Sequence, residues 1–107
     1  VSLLVEVKAV ATYIMLLNWT EQGVRAYKDT TKRTEDFAAA LGKLGARLVD
    51  TYWTDGPYDL VCIVEAPDDE TATAAALQLG ALGNVRTMTL RAFGREEMGR
   101  IIGKAAG

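Results

Sequence analysis

Residues 52–69 read YWTDGPYDLVCIVEAPDD, and their reading decides how the chain folds. A run of strand formers ends at Thr54, a turn holds Gly56 and Pro57, and a second, almost wholly apolar run follows from Leu60. Two such runs across a short Gly/Pro segment make a β-hairpin, and Pro57 favours a loop of three to five residues over a two-residue turn. Pro67 ends the second strand, read as YDLVCIVEA. Asp68 stands where a helix N-cap is needed, and Asp69 and Glu70 suit the positive end of the helix dipole. Within this pattern Asp59 is out of place beside Leu60, because a buried carboxylate is costly unless it is solvated, hydrogen-bonded or used.

Outward from the hairpin, the remaining elements fall into order. Before it, ARLVDTYWT is its first strand, and a helix capped by Thr30 or Thr31 runs to about Lys43, with Phe37, Leu41 and Leu44 at i, i+4 and i+7. Gly42 and Gly45 stop that helix. TEQGVRAYKD, before it, reads as a connection with about one helical turn, and ATYIMLLNW, residues 11–19, as the opening strand. Period two puts Tyr13, Met15, Leu17 and Trp19 on one face of that strand and Thr12, Ile14, Leu16 and Asn18 on the other. After the hairpin come an Ala-rich helix to Leu82, a strand NVRTMTLRAF, and a helix REEMGRIIGKAA with Met98, Ile101, Ile102 and Ala105 on one side. Gly80, Gly83 and Asn84 lack phosphate-loop spacing and serve to end a helix. The order βαββαβ plus a C-terminal helix is an α+β, ferredoxin-like split βαβ arrangement: an antiparallel sheet with helices on one face.

That arrangement leaves a burial problem. Helices cover one face, yet Ile14 and Leu16 oppose Met15 and Leu17, and Val61 and Ile63 oppose Leu60 and Cys62. An uncovered apolar face of several hundred Å² is unusual for a monomer. Two sheets packed face to face about a twofold axis bury it, so a homodimer or an assembly of dimers is expected.

Composition narrows the chemistry. The 107 residues suit one domain, half are hydrophobic, and the net charge of −2 comes without a basic or acidic tract, so neither nucleic acid nor an anionic membrane is an expected partner. Histidine is absent, which removes the usual metal ligand, proximal haem ligand and neutral-pH base. No metal and no cofactor are expected, while carboxylate and tyrosinate chemistry stay open. The single cysteine, Cys62, reads as a small buried hydrophobe, and a cytoplasmic home is expected. VSLLVEVKAV, at the start, is too interrupted for a signal peptide and too short for a membrane span. It reads either as an added edge strand or as an extension.

Three separated blocks, ATYIMLLNWTEQGVR, YWTDGPYDLVCIVEAPDDETA and LGNVRTMTLRAF, resemble the GYD domain family of small bacterial proteins, over about residues 11–98. The namesake motif falls on Gly56, Tyr58 and Asp59, with Pro57 in its variable position. The resemblance implies a dimeric α/β barrel of the ferredoxin-like superfamily, with residues 1–10 as an N-terminal extension and 11–107 as the domain. Family members begin near Ala11, often after a Met where this chain has Val10. The family name implies a fold more than a reaction, and activities found elsewhere in the superfamily, such as cofactor-free oxygenation, are analogy.

The ligand-binding candidates are Asn18, Trp19, Trp53, Tyr58 and Asp59. Asp59 reads either as a cavity-facing general base or as an acceptor of hydrogen bonds that fixes the DGPY turn. Asn18 reads either as a group orienting a ligand carbonyl or dioxygen, or as a partner of the following turn. The aromatic residues read either as walls of a pocket or as packing at the sheet rim. Arg86 and Arg91 have opposite strand parity and are expected to be paired or solvated. The leading expectation is an oligomeric module binding a small apolar or aromatic ligand in a pocket defined by facing sheets. Alternatives are a cofactor-independent oxygenase acting on an aromatic or polyketide-like substrate, and a purely structural assembly domain.

Overall fold

A computed structural model describes residues 10–107; the reading of the opening segment falls mainly on residues 1–9, outside the described residues. The chain runs β1 (Ala11–Trp19), α1 (Glu21–Arg25), a 3-10 turn (Tyr27–Asp29), α2 (Thr30–Lys43), β2 (Arg47–Trp53), β3 (Leu60–Ala66), α3 (Asp69–Ala81), β4 (Val85–Ala92) and α4 (Arg95–Ala105). The sheet order is β2-β3-β1-β4 and every pair is antiparallel, so the α+β ferredoxin-like fold holds.

Alternation along the strands builds the core. Tyr13, Met15 and Leu17 of β1 and Leu60, Cys62, Val64 and Ala66 of β3 all point to the helix side and are buried. Phe37 and Leu41 of α2 and Ala72 and Ala75 of α3 close over them. The small alanines let α3 approach the sheet closely, and Asp68 caps it by accepting the Thr71 backbone N–H at 2.8 Å. The phenol of Tyr13 donates to Asp69 Oδ1 at 2.5 Å, tying β1 to the first turn of α3.

Four local expectations change. Helix α2 is preceded by Asp29 without a side-chain cap, so neither Thr30 nor Thr31 caps it. The connection after β1 is more ordered than one turn: Thr20 caps α1 by accepting the Gly23 N–H at 3.1 Å, and its own hydroxyl donates to the Gly83 carbonyl at 2.6 Å. Strand β3 begins at Leu60, leaving Tyr58 and Asp59 in the loop. Strand β2 carries a register shift between Leu48 and Asp50, an irregularity set by pairing with β3 and invisible in its own sequence.

The opposite sheet face carries Ile14, Leu16, Val61, Ile63, Met88 and Leu90, and none of the helices that build the core lies over it. Helix α4 has the apolar stripe expected of it, yet none of its residues is buried, and Met98 and Ile102 are exposed. Arg91 joins α4 to β4: its guanidinium lies 4.5 Å from the Phe93 ring centroid and 3.0 Å from Glu97 Oε2.

Two outcomes are expected. A Cβ on Gly23 would sit 1.9 Å from the Asn84 carbonyl oxygen, which also accepts the Thr20 N–H at 3.1 Å. Gly23→Ala gains about 1 kcal/mol of helix propensity. Displacing that backbone costs more, so a net loss of about 1–3 kcal/mol is expected in urea denaturation. Burial, followed by the bond to Asp69, pushes the Tyr13 phenol up to about 12 from 10.0. A folded-state value above the unfolded one stabilises fully below pH 10 and is lost as pH rises through 12. Stability of the wild type should therefore fall between these limits more steeply than that of Tyr13→Phe, as read from chemical denaturation at each pH.

Candidate functional site

The sequence-derived candidates gather around one end of the sheet, but on different sides of it. Asp59 is the hinge of this region. Its backbone N–H donates to the Leu17 carbonyl and its carboxylate Oδ2 accepts the Trp19 backbone N–H, both at 2.9 Å. The loop itself is closed by Thr54, whose N–H donates to the Asp59 carbonyl at 2.9 Å and whose hydroxyl donates to the Tyr58 carbonyl at 2.7 Å. Gly56, at φ +106°, takes the backbone region that other residues avoid. The Asp59 carboxylate therefore fastens the hairpin loop to the end of β1, beyond the turn it was expected to fix.

From that anchor the other side chains diverge. Trp19 faces the helices, as strand parity requires, and Trp53 reaches the same side, donating from Nε1 to Thr30 Oγ1 at 3.0 Å. Asn18 lies on the open face opposite Arg86, and Tyr58 also reaches that face, with its hydroxyl 3.6 Å from Met88 Sδ. The bonds of the turn after β1 are made by Thr20 and Gln22, whose amide donates to Leu82 O and Asn84 Oδ1 at 3.1 and 3.0 Å. The five candidates thus share a neighbourhood without surrounding one ligand.

Two surfaces result. The open sheet face has an apolar centre, Ile14, Leu16, Val61 and Ile63 on β1 and β3, flanked on the edge strands by Tyr52, Met88 and Leu90, which are 53%, 51% and 44% exposed. Polar pairs bound it at opposite ends of the strands: Arg47 with Glu65 at one, Asn18 beside Arg86 at the other. On the helix side, α2 and α3 meet only sparsely and leave a cleft of about 460 Å³. Its floor is Leu17, Leu60 and Cys62, with Phe37 from α2 and Leu79 from α3 as walls; Arg33, Asp36, Gln78 and Asn84 supply the polar lining. Of its lining, sequence reasoning named Trp19 as a site residue and missed the helix side, although Phe37 and Arg33 lie one helical turn apart on α2.

Two potential nucleophiles, the Cys62 thiol and the Tyr13 phenol, are pushed towards their protonated forms. Burial pushes the Cys62 thiol up, against a weaker opposing effect of Thr51. The raised Tyr13 phenol stays protonated at neutral pH. Among the described residues no three Cys, Asp or Glu side chains converge as metal ligands, and no helix is long and apolar enough to cross a membrane.

Asp59→Ala removes the acceptor for the Trp19 N–H, whereas Asp59→Asn keeps one carbonyl oxygen in its place. The alanine variant is expected to lose about 1–3 kcal/mol in urea denaturation and the asparagine variant less. Equal stability of both variants and the parent contradicts this role.

Comparison with known proteins gives this geometry a lineage. A relative from Thermus thermophilus, named glutamine synthetase and cystathionine beta-lyase binding protein, is 38% identical over 83 residues, which span 77% of this chain and 87% of that protein. The crystal structure of TTHA0845, also from Thermus thermophilus, superposes with a TM-score of 0.53 at 29% identity, covering 78% of this chain and 94% of the other. The GYD domain model matches residues 13–102, which include the anchoring Asp59 and both surfaces, and the chain belongs to the GYD domain family.

Proposed function

We propose that the chain is a homo-oligomeric binding module that captures other molecules without transforming them. The observation that carries this reading is the open sheet face, an apolar centre between polar ends that no core-forming helix covers. Closing that face on a second copy buries Ile14, Leu16, Val61 and Ile63 and leaves Arg47, Glu65 and Arg86 at a wet rim, the layout of a stable interface. Stable interfaces of standard size bury roughly 1,600 Å² in total.

The name of the Thermus relative supports protein partners for such an assembly, with glutamine synthetase and cystathionine beta-lyase as the first to try. A small-molecule role draws support from the cleft on the helix side, which is apolar and of ligand size. The oxygenase reading loses ground, since Asn18 and Tyr58 lie across the sheet from Trp19 and Trp53. A cytoplasmic location is kept in this reading, since a chain with one cysteine has no internal disulfide to form.

Sedimentation velocity at micromolar concentration tests the assembly. The wild type is expected to run as a dimer or an even multiple, and Leu16→Glu, which places a charge at the centre of the face, as a folded monomer with an unchanged circular dichroism spectrum. A wild-type monomer overturns the reading. Co-sedimentation with purified glutamine synthetase, present for the wild type and lost in Leu16→Glu, is expected if enzyme capture depends on assembly.

A further inference from the structure

We propose that the cleft between α2, α3 and the sheet binds an amphipathic monocarboxylate, an aryl- or alkyl-carboxylic acid whose apolar body lies against Phe37, Leu60 and Leu79 and whose carboxylate meets Arg33. The inference rests on reading the chain as a binding module, and it uses the face of the sheet opposite the interface proposed above.

Size and lining define the body of the ligand. A volume of about 460 Å³ lies within the usual range of small-molecule sites, about 300–1,000 Å³, and excludes a folded partner. The floor is made of buried side chains that carry no charge, so the deep part of the ligand is apolar. Cys62 adds a protonated thiol to that floor.

Arg33 defines the head group. Its Nη1 donates to the Ala26 carbonyl at 2.9 Å and its Nη2 to the Gly23 carbonyl at 3.2 Å, which fixes the guanidinium while using two of its five N–H donors. It forms no ion pair among the described residues. The neighbouring acidic group, Asp36, is already matched by Lys32 at 2.7 Å. Asn84 accepts from Gln22 through its side-chain oxygen, so its amide N–H groups remain for a ligand oxygen. One fixed guanidinium and one amide donor beside an apolar cavity suit a monoanion; a phosphate dianion calls for more than one cation.

Binding of 4-phenylbutyrate to the full chain, followed by titration calorimetry and by tryptophan fluorescence, tests the site, because Trp19 lines the cleft and Trp53 bonds to Thr30 on its wall. Saturable binding is expected, about ten-fold tighter than that of the uncharged 4-phenylbutyramide. Arg33→Gln is expected to bring the acid down to the affinity of the amide while leaving the amide unchanged. Ala40→Trp, which fills the cleft from α2, is expected to abolish both, and it decides the matter should Arg33→Gln fail to fold. Equal affinity of acid and amide for the wild type, no binding of either, or acid binding that survives Ala40→Trp overturns the site. Sedimentation of the same samples separates the two readings: a wild-type dimer that binds no acid sinks this inference alone, and a monomer that binds it sinks only the proposed interface.

Discussion

Strands β1 and β3 occupy the centre of the sheet and carry apolar side chains on both faces, while α2 and α3 cover one face. That imbalance governs the rest of the molecule. On the covered side it yields the buried row from Tyr13 to Leu17 and from Leu60 to Ala66, with α2 and α3 anchored above it. On the other side it leaves Ile14, Leu16, Val61 and Ile63 with a sheet's worth of apolar surface and no core-forming helix over it among the described residues. At about 25 cal/mol per Å² of apolar area, covering even several hundred Å² is worth more than most single interactions in a domain of this size.

The polar groups are arranged to hold this geometry. Asp59 and Thr20 act at the same end of the sheet: one fastens the β2–β3 loop to β1, the other joins α1 to the turn before β4. Both use short side chains to satisfy backbone groups that strand pairing leaves over at the sheet end. The result is a rim in which the apolar floor of the cleft and the open face are each kept in register by bonds lying outside either surface.

Much of the fold was legible because its signals are local. Alternation in residues 11–19 and the strand-forming runs at 46–54, 58–66 and 84–93, together with Pro67 and Asp68, fixed four strands, their order along the chain and the start of α3. The same alternation already implied that Asn18 and Trp19 point to opposite faces, so their separation in the structure follows from a rule available in the sequence. Other features depend on distant partners. Gly23 is required by the approach of the Asn84 backbone, and the irregularity of β2 belongs to its pairing with β3. The cleft arises from the spacing between α2 and α3, which no single segment encodes. Asp59 was recognisable as a carboxylate in need of a partner, while the partner, the Trp19 N–H, lies 40 residues earlier in the chain.

Helix α4 extends from β4 with no buried residue and with Met98 and Ile102 facing solvent. Eleven residues are fewer than an isolated helix needs to be robust in water, roughly 12–15 even for favourable sequences. Its backbone amides, beyond the first turn held by Arg91 and Glu97, should therefore exchange with solvent through local opening at little free-energy cost, far below that of β1 or β3. Contact along the Met98–Ile102 stripe would be linked to that opening equilibrium, so protection of these amides reports occupancy of the stripe even when the sheet and its core remain unchanged.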